Sequence, residues 1–361
     1  MELLKTIKFI GVTVVALLIT PSTFAETPKT MWYEKISVQG DIRLRWEDIY
    51  KNPGNDTERE RFRARLGMST NITNDIKLIF RLESGIDDPV SSNQTFGVGD
   101  YIRDFGIGRA YIDWKVNEKL QIMGGKMKMP WYTPGGNNLL WDNDLNPEGI
   151  FGSYKANNIF LNGGYVIINQ DSEKNDTVLY SSQIGRHLNV NNTSSLTLGI
   201  GYYDYKNALG DAPFYKAKGN TIDAEEKYTF NYKLYELFSE FKTEISNLPM
   251  TLHAEIIKNS AIDDNNKAYS AGVKIGSVKN RGDKQFSYAY HDTDKDALIG
   301  SYSDSDFAGG NTDSRGHFIR AKYGLKENMA LGGILIVSKY NASPTDEIKY
   351  NRIQIDLEFQ F

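Results

Sequence analysis

The 361-residue chain contains no cysteine, only four histidines and ten prolines. Without thiols there is no disulfide framework, no thiolate metal site and no cysteine nucleophile. His187, His253, His291 and His317 fall in no histidine–glutamate metal motif and beside no serine-nucleophile motif, so the usual signatures of a hydrolase are missing. Beyond Ile19 no stretch reaches the roughly 20 apolar residues that a membrane-crossing helix needs. A net charge of −4 leaves no basic surplus for nonspecific binding of nucleic acid.

What is present starts with a leader. Lys5 and Lys8 precede the apolar run Phe9 to Ile19, Pro21 breaks that run, and Thr23-Phe24-Ala25 offers a small-x-small cleavage site. This pattern predicts a secretory signal peptide over residues 1–25, with residues 26–361 as the exported domain. The opposite end is equally informative. Ile353, Ile355, Leu357, Phe359 and Phe361 alternate with Arg352, Gln354, Asp356, Glu358 and Gln360. A strand points successive side chains to opposite faces, so this segment has one apolar and one charged face. A terminal aromatic and such alternation suit the closing strand of a membrane barrel, with its apolar side toward lipid and its polar side toward a wet interior.

Alternating segments recur along the exported domain. Val38, Ile42, Leu44 and Trp46 oppose Asp41, Arg43 and Arg45. Phe62, Ala64, Leu66 and Met68 oppose Arg61, Arg63 and Arg65, while Ile76, Leu78, Phe80 and Leu82 oppose Lys77, Arg81 and Glu83. Connections alternate in length. Short turns fall near 73–75, 117–119, 156–158, 189–193, 246–249, 280–283 and 326–328, and longer polar loops near 51–57, 85–104, 128–148, 169–176, 206–226, 259–267, 292–316 and 338–347. Seven turns and eight loops predict an all-β, transmembrane antiparallel β-barrel of about 16 strands, both ends on the short-turn side. Fourteen or eighteen strands remain open, because the segments 149–154 and 228–245 are the hardest to divide. Backbone groups cannot stay unpaired inside a bilayer, and a closed sheet pairs them all. Trp46, Trp114, Tyr290, Tyr323, Tyr350 and Phe361, at or near strand ends, are candidates for interfacial girdles.

Parity assigns the inward residues. Arg43, Arg45, Arg61, Arg63, Arg65, Lys77, Arg81, Arg109 and Lys115 face Asp41, Glu83 and Asp113 on one stretch of wall, nine basic against three acidic. Such a density of like charge requires water, counter-ions or carboxylates to screen it. The third long loop carries Trp131, Leu139, Leu140 and Trp141, which suit a loop folded back into the barrel better than one in water. Its Asp142, Asp144 and Glu148 would then meet the arginines. The expected pore constriction is therefore Arg43, Arg45, Arg61, Arg63, Arg65, Arg81 and Arg109 against Asp142, Asp144 and Glu148, with a mild anion preference. Asp142-Asn-Asp144 and Asp292 to Asp296 place oxygen ligands at alternate positions, but neither completes an EF-hand pattern, and no metal or cofactor is expected.

Three stretches, Arg81 to Thr95, Gly108 to Trp114 and Leu139 to Gly149, resemble the Putative porin family of Gram-negative outer membranes, the resemblance covering Gly40 to Gly149. Family members often carry Gly-Arg where this chain has Gly125-Lys126, and aspartate where it has Asn143. The resemblance implies a non-enzymatic outer-membrane channel for passive diffusion of small hydrophilic solutes and ions. Its partners would be outer-membrane lipid, those solutes and the barrel-assembly machinery, with a homotrimer allowed and nucleic acid not expected. The alternatives are an outer-membrane adhesin or structural barrel, which would have a plugged lumen, and a barrel hydrolase.

Overall fold

The computed structural model describes residues 35–361 apart from 86–87, 98, 100–101, 171–175 and 342–345. The leader expected over 1–25 lies outside the described residues. Residues 37–361 form one unit. Its strands are β1 (Ile36–Asn52), β2 (Thr57–Asn71), β3 (Ile76–Ser84), the two-residue β4 (Gln94–Thr95), β5 (Phe105–Lys115), β6 (Leu120–Lys126), β7 (Glu148–Ala156), β8 (Ile159–Asn169) and β9 (Thr177–Asn189). They continue with β10 (Ser195–Lys206), β11 (Tyr232–Ile245), β12 (Leu248–Asn259), β13 (Lys267–Gly276), β14 (Lys284–Thr293), β15 (Ser314–Lys326), β16 (Met329–Tyr340) and β17 (Ile348–Gln360). β4 only extends the edge of β2 beyond β3, so the wall consists of sixteen long antiparallel strands. The two segments that were hardest to divide are β7 and β11, one strand each.

The barrel closes between β1 and β17, in register from Asp41↔Gln360 to Asn52↔Lys349. At the rim Gly40 N–H donates to Phe361 C=O at 2.9 Å, and Phe361 N–H returns the bond at 3.0 Å. A Cβ on Gly40 would lie 2.4 Å from the Arg65 carbonyl oxygen and 2.5 Å from the Phe361 ring, so the seam needs glycine there. Gln360 N–H reaches the 327–328 turn through the Asn328 carbonyl, which puts Phe361 on the short-turn side as expected. Two of those turns, Asn157-Asn158 and Ser246-Asn247, have positive φ at both positions. That is the type I′ geometry that joins twisted strands in two residues, and asparagine tolerates it.

The alternation read from the sequence becomes two surfaces. Val38, Ile42, Leu44, Leu66, Leu78, Ile353 and Ile355 are exposed on the outside, whereas Arg45, Glu47, Arg352, Gln354 and Asp356 are buried on the inside. This is the reverse of a soluble protein and matches apolar hydrocarbon outside. Two of the girdle candidates differ from expectation. β1 continues six residues past Trp46, which places that residue within the strand rather than at its end. Tyr350 has the inward parity of Arg352 and is 3% exposed, so it belongs to the lumen.

Candidate functional site in the lumen

The third loop, residues 127–147 between β6 and β7, folds into the barrel. Trp131 and Trp141 stack at 4.7 Å between ring centroids, and Tyr203 and Phe151 meet Trp131 edge-on at 6.0 Å. Leu139, Leu140 and Trp141 are each at most 4% exposed. The loop tip is a 3-10 turn, Pro134–Gly136, and a Cβ on Gly135 would lie 2.2 Å from His253 Nδ1, so only glycine lets this turn reach β12. On that side the loop is held by carboxylates. Tyr132 OH donates to Glu240 at 2.5 Å, Gly135 N–H to the other Glu240 oxygen at 2.6 Å, and Asn137 Nδ2 to Glu255 at 2.8 Å.

The opposite side of the loop meets the arginines. Asp144 accepts from Arg65 Nη1 at 2.9 Å and lies 3.7 Å from Arg63 Nη1. Both arginines also pair with Asp41, at 2.8 Å from Arg63 and 2.6 Å from Arg65. Arg81 pairs with Glu83 at 2.6 Å, and Arg109 Nε donates to Asn146 at 2.8 Å. A bulge lies here: Arg81 opposes Arg109 and Leu82 opposes Ile107, leaving Gly108 as the extra residue. The Glu83 carboxylate occupies the space that a Gly108 side chain would fill. A bulge re-aims neighbouring side chains, and here glycine leaves room for the carboxylate that pairs with Arg81.

A second loop, residues 294–313 between β14 and β15, supplies another carboxylate. Asp306 lies 3.0 Å from Arg45 Nη1 and 3.0 Å from Arg352 Nη2. Arg45 is also bound by both oxygens of Asp356, at 2.6 and 2.7 Å. Glu47 binds Arg59 and Arg352 and lies 3.6 Å from Arg61. Arg43 donates to Asn93 at 2.5 Å and stands 3.9 Å from Asp356. Burial pushes the Asp306 carboxyl up, but Arg352, Arg45 and Arg43 outweigh it and hold the group well below the ordinary carboxylate range.

Of the ten expected constriction residues, the structure brings together the seven arginines and Asp144. Asp142 serves differently. It is 6% exposed, and its oxygens accept the N–H groups of Asp144 at 2.7 Å and Ser305 at 3.2 Å, joining the two inward loops. Burial, then the charges of Asp144 and Asp304, push its carboxyl well above the ordinary range. Glu148 is not at the arginine wall, because it pairs with Lys126 at 2.6 Å and its side chain is 60% exposed. The expected constriction omits Glu47, Arg59 and Asp306, and also Arg352 and Asp356, which parity already places on the inward face of the last strand. All but Asp306 lie on inward strand positions. These contacts join nine arginines to six carboxylates: Asp41, Glu47, Glu83, Asp144, Asp306 and Asp356. Among the described residues no cluster of three His, Asp or Glu side chains could hold a metal ion.

No curated protein matches the sequence. Among solved structures, Pseudomonas putida OprB, determined at high pH, superposes with a TM-score of 0.60 at 12% identity, over 91% of this chain and 95% of its own. A triple mutant of the Rhodopseudomonas blastica porin gives 0.53 at 12% identity, over 90% and 100%. At such identity the likeness concerns the fold, a 16-stranded transmembrane β-barrel of the outer-membrane porin type. The family described as Putative porin matches residues 48–232 and 228–361, well past the region whose motifs first suggested it. With most of its length matched, the chain belongs to the Putative porin family.

Proposed function

We propose that this protein is an outer-membrane porin, a channel for passive diffusion of small hydrophilic solutes and ions that performs no chemistry. One observation carries the reading: the barrel puts its charge inside and its apolar side chains outside, and an inward loop straddles the lumen between an arginine wall and a carboxylate-rich wall. Such a transverse field orients polar solutes and penalises apolar ones. Arg43, Arg45, Arg61, Arg63, Arg65, Arg81, Arg109 and Asp144 form the constriction, with Asp142 fixing the loop. At the constriction, the surplus of arginine over carboxylate among these contacts favours a mild anion preference. Residues 1–25 act as the export leader, and residues 26–361 insert through the barrel-assembly machinery into outer-membrane lipid, as a monomer or homotrimer.

The histidines offer little support for a hydrolase. His187 and His317 engage the hydroxyls of Thr197 and Tyr288, at 2.8 and 2.9 Å, and among the described residues neither ring is hydrogen-bonded to a carboxylate. The adhesin or structural reading rests on one observation, the apolar cluster of Trp131, Leu139, Trp141, Tyr203, Tyr228 and Leu298 inside the barrel. Planar-bilayer recording separates the readings. Stepwise ionic conductance supports the channel, and silent insertion of correctly folded protein refutes it in favour of the plugged barrel.

A further inference from the structure

Away from the arginine wall, the loop tip and strands β12–β15 line an open luminal cavity of about 160 Å³. Its polar lining includes His253, Lys274, Ser287, His291, Asp304 and Arg320. Register aligns three of them: Lys274 pairs with Ser287 across β13 and β14, and Ser287 with Arg320 across β14 and β15. Two strand spacings separate Lys274 from Arg320, about 10 Å between backbones, a span that two long side chains readily close.

The donors here lack acceptors. Arg43, Arg45, Arg59, Arg61, Arg63, Arg65, Arg81, Arg109 and Arg352 each meet a carboxylate or an amide oxygen. Arg320 has no hydrogen bond or ion pair among the described residues; it lies 5.1 Å from the Phe318 ring, and its Nε is buried without a partner. Lys274 gives one of its three N–H groups to the Gly135 carbonyl at 3.1 Å. His291, 4% exposed, has no hydrogen-bond partner among the described residues, and neither ring nitrogen of His253 has one. Two acids stand nearby. Asp304 lines the same cavity: its Oδ1 accepts the N–H groups of Asp306 at 2.8 Å and Phe307 at 3.3 Å, its Oδ2 lies 3.5 Å from Asn138 Nδ2, and burial pushes its carboxyl above the ordinary range although the charge of Arg320 opposes this. Glu240, beside Lys274 and His253, accepts from Tyr132 and Gly135 and pairs with Lys242 at 2.6 Å.

We propose that this cavity is a binding site for a compact oxyanion, a small carboxylate or phosphate, held chiefly by Arg320 and Lys274 with His253 and His291 as further donors. An anion with several acceptor oxygens answers the excess of donors, and the guanidinium fork suits it geometrically. That space readily admits a phosphate or an acetate. The inference rests on the channel reading only for how the anion arrives.

Equilibrium dialysis with labelled inorganic phosphate, on folded protein in detergent, tests the site directly. Saturable binding of one phosphate per barrel is expected, displaced by acetate, weakened about tenfold by Arg320→Gln or by Lys274→Gln, and partly restored in Arg320→Lys. Substituting the exposed turn residue Lys119 by Gln should change nothing, and circular dichroism verifies that each variant remains β-structured. Absence of saturable binding in the native protein overturns the site, as does equal binding in the Arg320→Gln/Lys274→Gln double variant. In bilayers phosphate should reduce the chloride current of the native protein and spare that of the double variant. Silent bilayers with saturable binding would remove the channel and leave the site; conductance without binding would do the opposite.

Discussion

Asp306 lets the role of the second inward loop be tested quantitatively. Its carboxylate lies 3.0 Å from both Arg45 and Arg352 and accepts from Gln354 at 3.1 Å, while its side chain is 20% exposed. Hydrogen bonds to charged groups contribute about 1.5–3 kcal/mol each. Asparagine keeps one acceptor oxygen, and the loop keeps the packing of Phe307 and Ala308 on Ile334 and Ile336. Asp306→Asn should therefore cost the docked loop about 3 kcal/mol, toward the low end of two lost charged contacts. At 1.4 kcal/mol per tenfold, that is about a hundredfold more frequent opening. Hydrogen exchange at the Thr312 amide, bonded to the Lys218 carbonyl at 2.9 Å, reads the opening.

The pH dependence has a fixed sign. The folded-state carboxyl of Asp306 is held below its unfolded value, despite burial, by Arg352 and Arg45. Its contribution is complete above the unfolded value, about pH 4, and is lost only as pH falls through the lower folded value. Native protein should keep its Thr312 protection factor at pH 4, and the variant should be deficient at both pH 7 and pH 4. Protection within threefold of native in Asp306→Asn at pH 7 would refute the docking role. Native protection collapsing near pH 4 would refute the arginine pairing.

The sequence read alone led to the barrel because alternation and connection length are local signals, repeated in every hairpin. Even the missed partners on strands obey the same rule. Arg45 and Asp356 share inward parity, and closure between β1 and β17 makes them direct neighbours, so joining the last strand to the first would have paired them. Glu47 escapes the rule because the alternation in the sequence marks no strand past Trp46, whereas β1 runs six residues further. Loop residues follow no such period. The aromatic cluster in 128–148 announced that this loop turns inward, but Asp142, Asp144 and Glu148 could not be ranked without knowing the loop's path. Asp306 carries no equally plain signal in the sequence, although Ala297, Leu298 and Ile299, which are fully buried, form an apolar run upstream of it. Arg320 shows the complementary limit: parity puts it inside, but only coordinates reveal that it forms no hydrogen bond or ion pair among the described residues.

Three further tests follow from the same geometry. Gly40→Ala should destabilise closure by about 1–3 kcal/mol, because the methyl would meet the Arg65 carbonyl at 2.4 Å; urea unfolding in detergent reads the loss, and an unchanged midpoint would place the seam elsewhere. Trp131→Ala should cost about 3–5 kcal/mol by removing its stack on Trp141 and its 3.0 Å bond to Ser181, seen as protease sensitivity confined to 127–147. The last concerns ion selectivity, where Asp142 and Asp144 part company. Asp144 touches Arg63 and Arg65, and all three side chains are between 12% and 19% exposed, within reach of passing ions. Asp144→Asn should shift the bilayer reversal potential toward anions, while Arg63→Ser/Arg65→Ser shifts it toward cations. Asp142 is buried against backbone N–H groups, so Asp142→Asn should shift it little. The screening length falls from about 10 Å in 0.1 M salt to about 3 Å in 1 M, so both larger shifts should shrink sharply between those conditions. Shifts independent of salt, or equal for Asp142 and Asp144, would put the ion path away from this wall.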